Sequence, residues 1–248
     1  MSSLQSIDRA MNVVKVLASN STESWLSITE LSKKCELPVS SMHRLLKAMI
    51  RHEMIQQDER TKLYGIGNIW LEYGLQVYDT MDYVSKIRPE LERLIHEVEE
   101  NVYLSKPIGT ESLIIERIDS DKNSIRVYDQ LGMRIPMHIG AANKVMLAYM
   151  PDKQAEEIIG ELLPEQDRPG LWKTLKETKT MGYGISHAER TEGTSSVAVP
   201  ILSHFGKVEG AVSIGFVNFN LTDSRLEFLI EKVVETGKKI SAKLGYHS

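Results

Sequence analysis

Apolar residues recur with a helical spacing at the start of the chain, which predicts a helix over residues 6–18. The positions that form its apolar stripe are Ile7, Ala10, Met11, Val14, Leu17 and Ala18. Ser6 can cap this helix, and Asp8 suits its first turn because a helix N-terminus favours carboxylates. The polar residues 20–23 then predict a break before the next element.

A capping-box sequence opens the second predicted helix. Ser27 occupies the N-cap position and Glu30 follows three residues later, so that each side chain can bond the backbone N–H of the other residue. Ile28, Leu31 and Cys35 follow on one side, and the helix is expected to end before Pro38. We interpret Cys35 as a small buried core residue in preference to a reactive thiol.

Residues 38–51 predict an amphipathic helix whose polar face contains no carboxylate. The apolar face comprises Met42, Leu45, Leu46 and Met49, and the polar face comprises Ser40, His43, Arg44, Lys47 and Arg51. Hydroxyl, imidazole, guanidinium and ammonium groups donate hydrogen bonds to phosphates and base edges. The alternative is an ordinary solvated cationic face, and the neighbouring elements decide between the two interpretations.

A short hairpin is predicted after this helix, with strands at residues 54–57 and 62–66 around a turn at residues 58–61. Helix, short helix, tight turn, donor-faced helix and hairpin together predict a winged helix-turn-helix domain. In such domains the second helix of the pair enters the major groove, and we expect the hairpin wing to follow the DNA backbone. The candidate DNA contacts are Arg9, Ser40, Ser41, His43, Arg44, Lys47, Arg60 and Lys62.

Residues 67–78 predict a helix that is apolar on two faces. The two stripes are Leu71, Gly74, Leu75 and Tyr78 on one side, and Ile66, Trp70, Tyr73 and Val77 on the other. A small domain rarely buries both stripes of one helix, so we interpret this segment as a linker helix that packs against a second subunit. Burial between the two domains of one chain is the alternative.

The rest of the chain contains strand and helix patterns in blocks. A helix with inward Val84, Ile87, Leu91, Leu94, Ile95 and Val98 comes first, and strands follow at residues 102–108, 113–118 and 125–128. Helices at residues 141–150, 152–160 and 169–181 precede strands at residues 184–187, 196–201 and 209–217. A final helix begins after Thr222. This order predicts an α+β chain whose antiparallel sheet is covered by helices.

Composition narrows the class of protein. The chain has 248 residues, 42% hydrophobic and 26% charged, as in ordinary globular proteins, and it contains one cysteine. It lacks an 18-residue apolar run and a signal-peptide pattern, so we expect a soluble, cytoplasmic protein without a membrane partner. Residues 1–66 carry a net charge of +2 although the whole chain carries −4. This asymmetry has the sign expected of an N-terminal nucleic-acid-binding domain.

Sequence patterns of catalysis are absent from the chain. Its seven histidines form no HExxH pair, and neither a GxSxG elbow nor a Walker A loop occurs. His138 and His187 are candidate members of a nucleophilic pair, but the sequence provides no evident orienting group. We therefore expect a binding protein that is not an enzyme and needs no cofactor.

A candidate ligand site lies at the start of the predicted helix 141–150. The small residues Gly140, Ala141 and Ala142 allow a ligand to approach backbone N–H groups, and a helix N-terminus favours an anion. Val127, Leu131 and Ile135 are expected to supply apolar walls for such a pocket. The alternative is tight helix-on-sheet packing in a domain that only oligomerises.

The chain resembles IclR-type bacterial transcriptional regulators over nearly its full length. The resemblance rests on SIDRAMNVVKVLA and ITELSKKCELPVSSMHRLL, and then on LGMRIPMHIGAANKVMLAYMP, MGYGISHAERTEGTSSVAVPI, GKVEGAVSIG and KKISAKLGY. It implies a winged helix-turn-helix domain at residues 1–67, a linker helix at 68–82 and a GAF-like effector-binding domain at 83–248. Asn143 stands where the family commonly has Gly, and Ser196 stands where it often has Cys.

The resemblance also implies the partners. They are double-stranded operator DNA, a small effector of the organic or aromatic acid class, and further copies of the chain in a dimer or a dimer of dimers. The implied effector contacts are Val127, Leu131, Ile135, Ala141, Ala142, Asn143, Ser186, Thr194, Ser196, Ser213 and Gly215. Strand alternation puts Ser196 and Ala198 on one face, which the resemblance turns inward. We expect a repressor that responds to a small anionic metabolite.

Overall fold

The computed structural model describes residues 5–19, 25–120, 129–219 and 221–246. It divides the chain into two compact units, Met1–Asp82 and Tyr83–Ser248. The strand expected at residues 125–128, together with Val127, lies outside the described residues. The described part of the chain contains no helix that is both long enough and apolar enough to cross a bilayer.

The first unit is a small helical domain with a two-stranded wing. Its elements are α1 (Gln5–Ser19), α2 (Ile28–Lys34), α3 (Val39–Arg51), β1 (Ile55–Gln57), β2 (Tyr64–Ile66) and α4 (Ile69–Asp79). The strands pair antiparallel, with Ile55 opposite Ile66, and Leu26 adds an isolated bridge to Tyr64. Its core contains Val13, Leu17, Leu26, Leu31, Cys35, Met42, Leu46, Met49, Ile55 and Tyr64. Cys35 is thus buried in the core, as the sequence predicts.

The buried stripe of α1 agrees with the prediction only in part. Val13 is fully buried, whereas Ile7 is 59% exposed, and Ala18 is also exposed. Leu17 is buried, and Ala10 and Val14 pack against the core, so the middle of the predicted stripe is confirmed. Its ends, Ile7 and Ala18, were predicted wrongly, and Val13 was missed. Ser6 lies inside the helix, which begins at Gln5, so it is not the expected N-cap.

The second unit is a curled antiparallel sheet between helices. Its elements are α5 (Asp82–Val98), β3 (Asn101–Ile108), β4 (Glu111–Ile118), β5 (Arg134–Pro136), α6 (Ala141–Tyr149), α7 (Asp152–Leu162), α8 (Arg168–Met181), β6 (Gly184–His187), β7 (Thr194–Leu202), β8 (Val208–Val217) and α9 (Asp223–Lys243). The strand order is β5-β4-β3-β8-β7-β6, and all described pairs are antiparallel. The predicted α+β class is confirmed.

Helices cover both faces of this sheet. Neighbouring residues of β7 point to opposite faces, and each contacts a different helix. Ala198 packs in a cluster with Ala141 and Val145 of α6. On the other face, a Cβ built on Gly237 of α9 would lie 2.4 Å from Val199 Cγ2, so this glycine allows close helix–sheet contact. The face that α6 covers also contains the ends of the strands that form the cleft described below.

Candidate functional site

The turn between α2 and α3 fixes the orientation of α3. Ser27 Oγ accepts a hydrogen bond from Glu30 N at 3.3 Å, and the Glu30 carboxylate accepts one from Ser27 N at 2.8 Å. This capping box starts α2, as predicted. Glu36, with φ of 53°, adopts the left-handed conformation that turns the chain into α3. Together they form a helix-turn-helix whose second helix is α3.

The polar face of α3 is available for a partner. Met42, Leu46 and Met49 are buried against the core, and Leu45 is half-buried. The opposite face exposes the predicted donors Ser40, Ser41, His43, Arg44 and Lys47. Within the described part of the chain, Arg44 and Lys47 make no ion pair. Their donors are therefore free to bond phosphates or base edges.

Asp58 orders the tip of the wing. Its carboxylate accepts hydrogen bonds from Thr61 N at 2.6 Å and from Arg60 N at 3.1 Å. The bonds from Thr61 lower the pKa of Asp58 below its ordinary value. The turn exposes the side chains of Arg60 and Lys62. Arg9, the remaining predicted DNA contact, is exposed on α1.

The return strand of the wing is shorter than predicted. It begins at Tyr64, so that Lys62 lies in the turn and not in the strand. Lys62 has φ of 59°, and its N–H donates to Asp58 O at 2.9 Å. This left-handed residue closes the turn two positions before the strand ladder starts.

An open cleft lies on the α6 side of the sheet in the second unit. Its floor is made of side chains from all six strands, and its rim is made of the α6 N-terminus and the loop between β6 and β7. The predicted residues that line it are Ile135, Ala141, Ala142, Asn143, Ser186, Thr194, Ser196, Ser213 and Gly215. The fold therefore collects positions that are as far as 80 residues apart in sequence (Ile135 and Gly215).

Leu131 does not line the cleft. It is 55% exposed in the turn before β5, where Gly132 N donates to Ile114 O at 2.9 Å and directs the chain into the strand. The expectation that Leu131 forms an apolar wall was therefore wrong. Val127, the other apolar residue expected nearby, lies outside the described residues.

Further lining residues were not predicted from the sequence. They include Tyr103, Ser105, Ser112, Ile114, Asp129, Glu189 and Arg190. A signal for two of them existed, because Tyr103 and Ser105 are alternate positions of one strand and therefore share a face of the sheet. Burial raises the pKa of Tyr103 to about 12, so its phenol is neutral at physiological pH.

Glu189 binds the first turn of α6. Its carboxylate accepts a hydrogen bond from Gly140 N at 2.8 Å and forms an ion pair with Lys144. Burial raises the pKa of Glu189, but the bond from Gly140 and the contacts with Lys144 outweigh burial and hold this pKa below its ordinary value. A carboxylate of the protein itself thus already occupies part of the helix N-terminus that we expected to attract a ligand anion.

The loop that carries Glu189 is anchored on its other side by Arg190. The Arg190 guanidinium donates to Asp129 Oδ1 at 2.6 Å and contacts the sulfur of Met133. Two ion pairs therefore hold the loop across the cleft. The loop contributes the anion to the pair of Glu189 with Lys144 and the cation to the pair of Arg190 with Asp129. The two pairs also leave the charges at the cleft rim balanced in sign.

The geometry does not favour catalysis. His187 Nδ1 lies 2.8 Å from Ser195 Oγ, but no acidic side chain among the described residues hydrogen-bonds His187. His138, whose pKa is lowered by desolvation, forms no hydrogen bond from Nδ1 to any described group. The described residues also contain no group of three or more His, Cys, Asp or Glu side chains that could hold a metal ion.

Comparisons with known families cover almost the entire chain. Residues 75–242 match the model described as bacterial transcriptional regulator IclR C-terminal. Residues 6–59 match the model described as IclR helix-turn-helix domain.

Relatives of known name are transcriptional regulators. The chain is 29% identical over 228 residues to the HTH-type transcriptional regulator KipR of Bacillus subtilis, covering 89% of this chain and 90% of KipR. It is 28% identical over 250 residues to the HTH-type transcriptional regulator XynR of Escherichia coli, covering 98% of both. The names of these relatives confirm the expectation of a regulator that is not an enzyme.

Solved structures share the same fold. The Thermotoga maritima IclR structure superposes with a TM-score of 0.78 at 23% identity, covering 98% of this chain and all of that one. An IclR regulator from Alicyclobacillus acidocaldarius gives a TM-score of 0.80 at 21% identity, with 98% of this chain and all of that one covered. The helix-turn-helix unit, the sheet domain and both family matches lead to one conclusion: the chain belongs to the IclR family of DNA-binding bacterial transcriptional regulators.

Proposed function

We propose that this chain is a repressor whose binding to operator DNA is controlled by a small organic acid in the cleft of the second unit. The observation that carries this proposal is the cleft itself, which gathers hydroxyl groups from several strands beside a helix N-terminus. Concave sites with a few converging polar groups are typical of small-molecule binding. Since operator DNA lies in the bacterial cytoplasm, the proposed action is cytoplasmic.

DNA contact is assigned to the exposed donors of the first unit. Arg44 is the residue expected to read a base, because its planar fork can address guanine O6 and N7 together. Lys47 is expected to bind phosphate. Arg9, Ser40, Ser41, His43, Arg60 and Lys62 complete the proposed contact surface. The predicted domain limits, 1–67, 68–82 and 83–248, remain part of this proposal.

The proposed anchor of the effector acid is a group of three hydroxyls on adjacent strands. Ser196 of β7 pairs with Ser186 of β6 in the strand register, and Ala198 of β7, on the same face as Ser196, pairs with Ser213 of β8. Their hydroxyls, with the N–H groups of the first turn of α6, can donate to a carboxylate. One structural neighbour, an IclR homologue from Microbacterium hydrocarbonoxydans, is complexed with an organic acid, 4-hydroxybenzoate.

A second copy of the chain is the proposed partner of α4. This helix contains no buried residue, and Leu71, Tyr73, Leu75 and Val77 are each more than half exposed. Exposed apolar side chains on both sides of one helix favour an interface between subunits. A twofold dimer of this kind reads two half-sites on the DNA.

Control by the effector requires unequal binding to two arrangements of the protein. A ligand changes DNA affinity only if it binds the DNA-competent and DNA-incompetent arrangements with different free energies. The rival proposal is that the second unit only oligomerises. That proposal predicts no ligand, and so the two can be separated by one set of measurements.

The experiment starts from a duplex that the wild-type chain selects from a random-sequence pool. A panel of small carboxylates, sugar acids and aromatic acids is screened for shifts in the melting temperature of the protein. Each acid that binds is then tested for release of the selected duplex, which carries a fluorescent label. Ser196→Ala should weaken such an acid roughly tenfold or more, because a hydrogen bond to a charged group is lost. Ser196→Leu should fill the anchor and abolish release while ligand-free DNA affinity stays the same.

The matched control is Ser224→Leu, which makes the same change at an exposed position at the start of α9. It should respond to the acid as the wild type does. If an acid releases DNA equally well from the wild type and from both Ser196 variants, the site lies elsewhere. If no acid in the panel binds or releases DNA, the oligomerisation-only proposal is favoured.

A further inference from the structure

Val39 is an exposed apolar residue at the first position of α3, and it is not among the proposed DNA contacts. It is 48% exposed, whereas Leu37, two residues earlier, packs against the core of the first unit. Folding therefore gains little from a valine here. Single exposed apolar residues are common on protein surfaces and need no explanation by themselves. What gives Val39 a role is its position on α3.

Val39 lies beside the donor face of α3. The helical repeat of about 100° per residue places it next to Ser40 and about one turn before His43, and both of these residues are exposed. In a helix-turn-helix domain, the N-terminal residues of the second helix contact base edges in the major groove. Val39 begins this helix, so it lies at the end that contacts the bases.

The first turn of α3 is not closed by its own N-cap residue. That residue is Pro38, whose ring contains no group that can bond a backbone N–H. The first hydrogen bond within the helix runs from Met42 N to Pro38 O at 2.9 Å. The N–H groups of Val39, Ser40 and Ser41 therefore have no partner within the described helix. They can bond a DNA phosphate while the side chains of the same turn approach the bases.

The chemistry of a valine side chain selects one group in the major groove. Most of the base edges there are hydrogen-bond donors or acceptors, and an apolar side chain that covers them removes their water without replacing its hydrogen bonds. The exception is the C5-methyl group of thymine, which is apolar. Contact between this methyl group and the methyl groups of Val39 removes apolar surface from water on both sides, which is favourable.

The spacing along α3 predicts where this thymine lies. Val39 and Arg44 are five positions apart, which corresponds to roughly 7.5 Å along the helix axis. Successive base pairs of DNA are about 3.4 Å apart. The thymine should therefore lie within about three base pairs of the base that Arg44 reads.

We propose that Val39 is a specificity-determining residue that reads a thymine through its C5-methyl group. This inference rests on the proposed DNA contact of α3 and adds a second sequence-reading residue to Arg44. The two contacts differ in chemistry, because one is apolar and the other is a pair of hydrogen bonds. They can therefore be tested separately.

The test removes the methyl group from the DNA and the valine from the protein. In the duplex that the wild-type chain selects, each thymine is replaced in turn by deoxyuridine, which lacks the C5-methyl group and keeps the same hydrogen-bonding edge. Fluorescence anisotropy with the full chain should reveal a thymine whose replacement weakens wild-type binding roughly two- to fivefold. Val39→Ser should bind the thymine and deoxyuridine duplexes equally at that position, and Val39→Ala should show a reduced ratio.

The matched control is Ile50→Ala, which shortens an apolar side chain near the other end of α3. Ile50 is 37% exposed, and it lies eleven positions after Val39, away from the turn that contacts the bases. This variant should keep the wild-type ratio between thymine and deoxyuridine. The melting temperature of Val39→Ser should stay at the wild-type value, because the replaced side chain is exposed and Ser suits the first turn of a helix.

Three results would overturn the role of Val39. They are wild-type binding that ignores every deoxyuridine replacement, an unchanged ratio in Val39→Ser, and a ratio that is lost equally in Ile50→Ala. Arg44→Ala separates this inference from the proposed function. If Arg44→Ala weakens operator binding while the thymine methyl groups have no effect, α3 reads DNA without Val39. If Arg44→Ala and Lys47→Ala both bind as the wild type does, the DNA contact of α3 is itself wrong.

Discussion

Glu189→Gln should destabilise the second unit because it leaves the Lys144 ammonium without its counter-charge. The Lys144 side chain is 11% exposed and that of Glu189 is 28% exposed, and the two form an ion pair at the α6 N-terminus. The substituted glutamine keeps the size of the side chain and can still accept the hydrogen bond from Gly140 N. The substitution therefore removes the charge and little else.

The magnitude follows from the burial of the pair. Breaking a fully buried ion pair by removing one partner costs about 3–5 kcal/mol, whereas an exposed pair contributes about 0–1 kcal/mol. Glu189 lies between these limits, since 28% of its side chain remains exposed. We therefore expect a loss of about 2 kcal/mol in the free energy of unfolding at pH 7. Glu192→Gln is the matched control in the same loop, where the side chain is exposed, and should change it by less than about 0.5 kcal/mol.

The effect should depend on pH in a defined direction. The pKa of Glu189 in the folded chain is below its ordinary value of 4.5. A carboxyl group with a lowered pKa contributes stability above the unfolded pKa, and this contribution is lost as pH falls through the folded pKa. The difference between the wild type and Glu189→Gln should therefore be full at pH 7 and shrink as pH falls below 4.5.

Tryptophan fluorescence can follow the unfolding of the second unit in urea separately from that of the first. Trp172 is the tryptophan of α8, so a background with Trp25→Phe and Trp70→Phe makes the signal report this unit alone. Equal stability of the wild type and Glu189→Gln at pH 7 would refute the reasoning. A difference that persists undiminished at the lowest pH at which the chain stays folded would show that the ion pair is not its source.

Further substitutions test the first unit. Gly67→Ala should destabilise it by about 1–3 kcal/mol in thermal unfolding, because a Cβ there would lie 1.9 Å from Glu53 O; an unchanged melting temperature would contradict this close contact. Ser27→Ala removes the cap of α2 and should cost about 1 kcal/mol in urea denaturation. Leu71→Ser combined with Leu75→Ser should convert a wild-type dimer into monomers in sedimentation, and a wild type that is monomeric at micromolar concentration would contradict the proposed interface.

Helical periodicity predicted more of the fold than any other sequence signal. All six inward positions predicted for α5, from Val84 to Val98, are buried. The Ser27 capping box is also present, and the final helix begins after Thr222, as predicted. These features depend on residues within one helix or its ends, so the local sequence contains the information that determines them.

Features that depend on distant contacts were missed or misplaced. The strand β5 has three residues, and only its pairing with β4 makes it a strand. Glu189 reaches the α6 N-terminus across 49 positions of sequence, which no local pattern reveals. The same applies to Ser112, whose place in the cleft follows from strand order. The serines on β6, β7 and β8 could be named because the family resemblance implied them as effector contacts.

Operator binding by Arg44 and Lys47 variants tests the central claim most directly, namely that α3 is the DNA-reading helix of a regulator. Fluorescence anisotropy with the selected duplex should show that Arg44→Ala loses about 1–3 kcal/mol, or roughly 5- to 150-fold in affinity, and discriminates less between sequences. Lys47→Ala should weaken all duplexes about equally and reduce the salt dependence by about one phosphate contact. Wild-type affinity, sequence preference and salt dependence in both variants would contradict the assignment of α3 as the recognition helix.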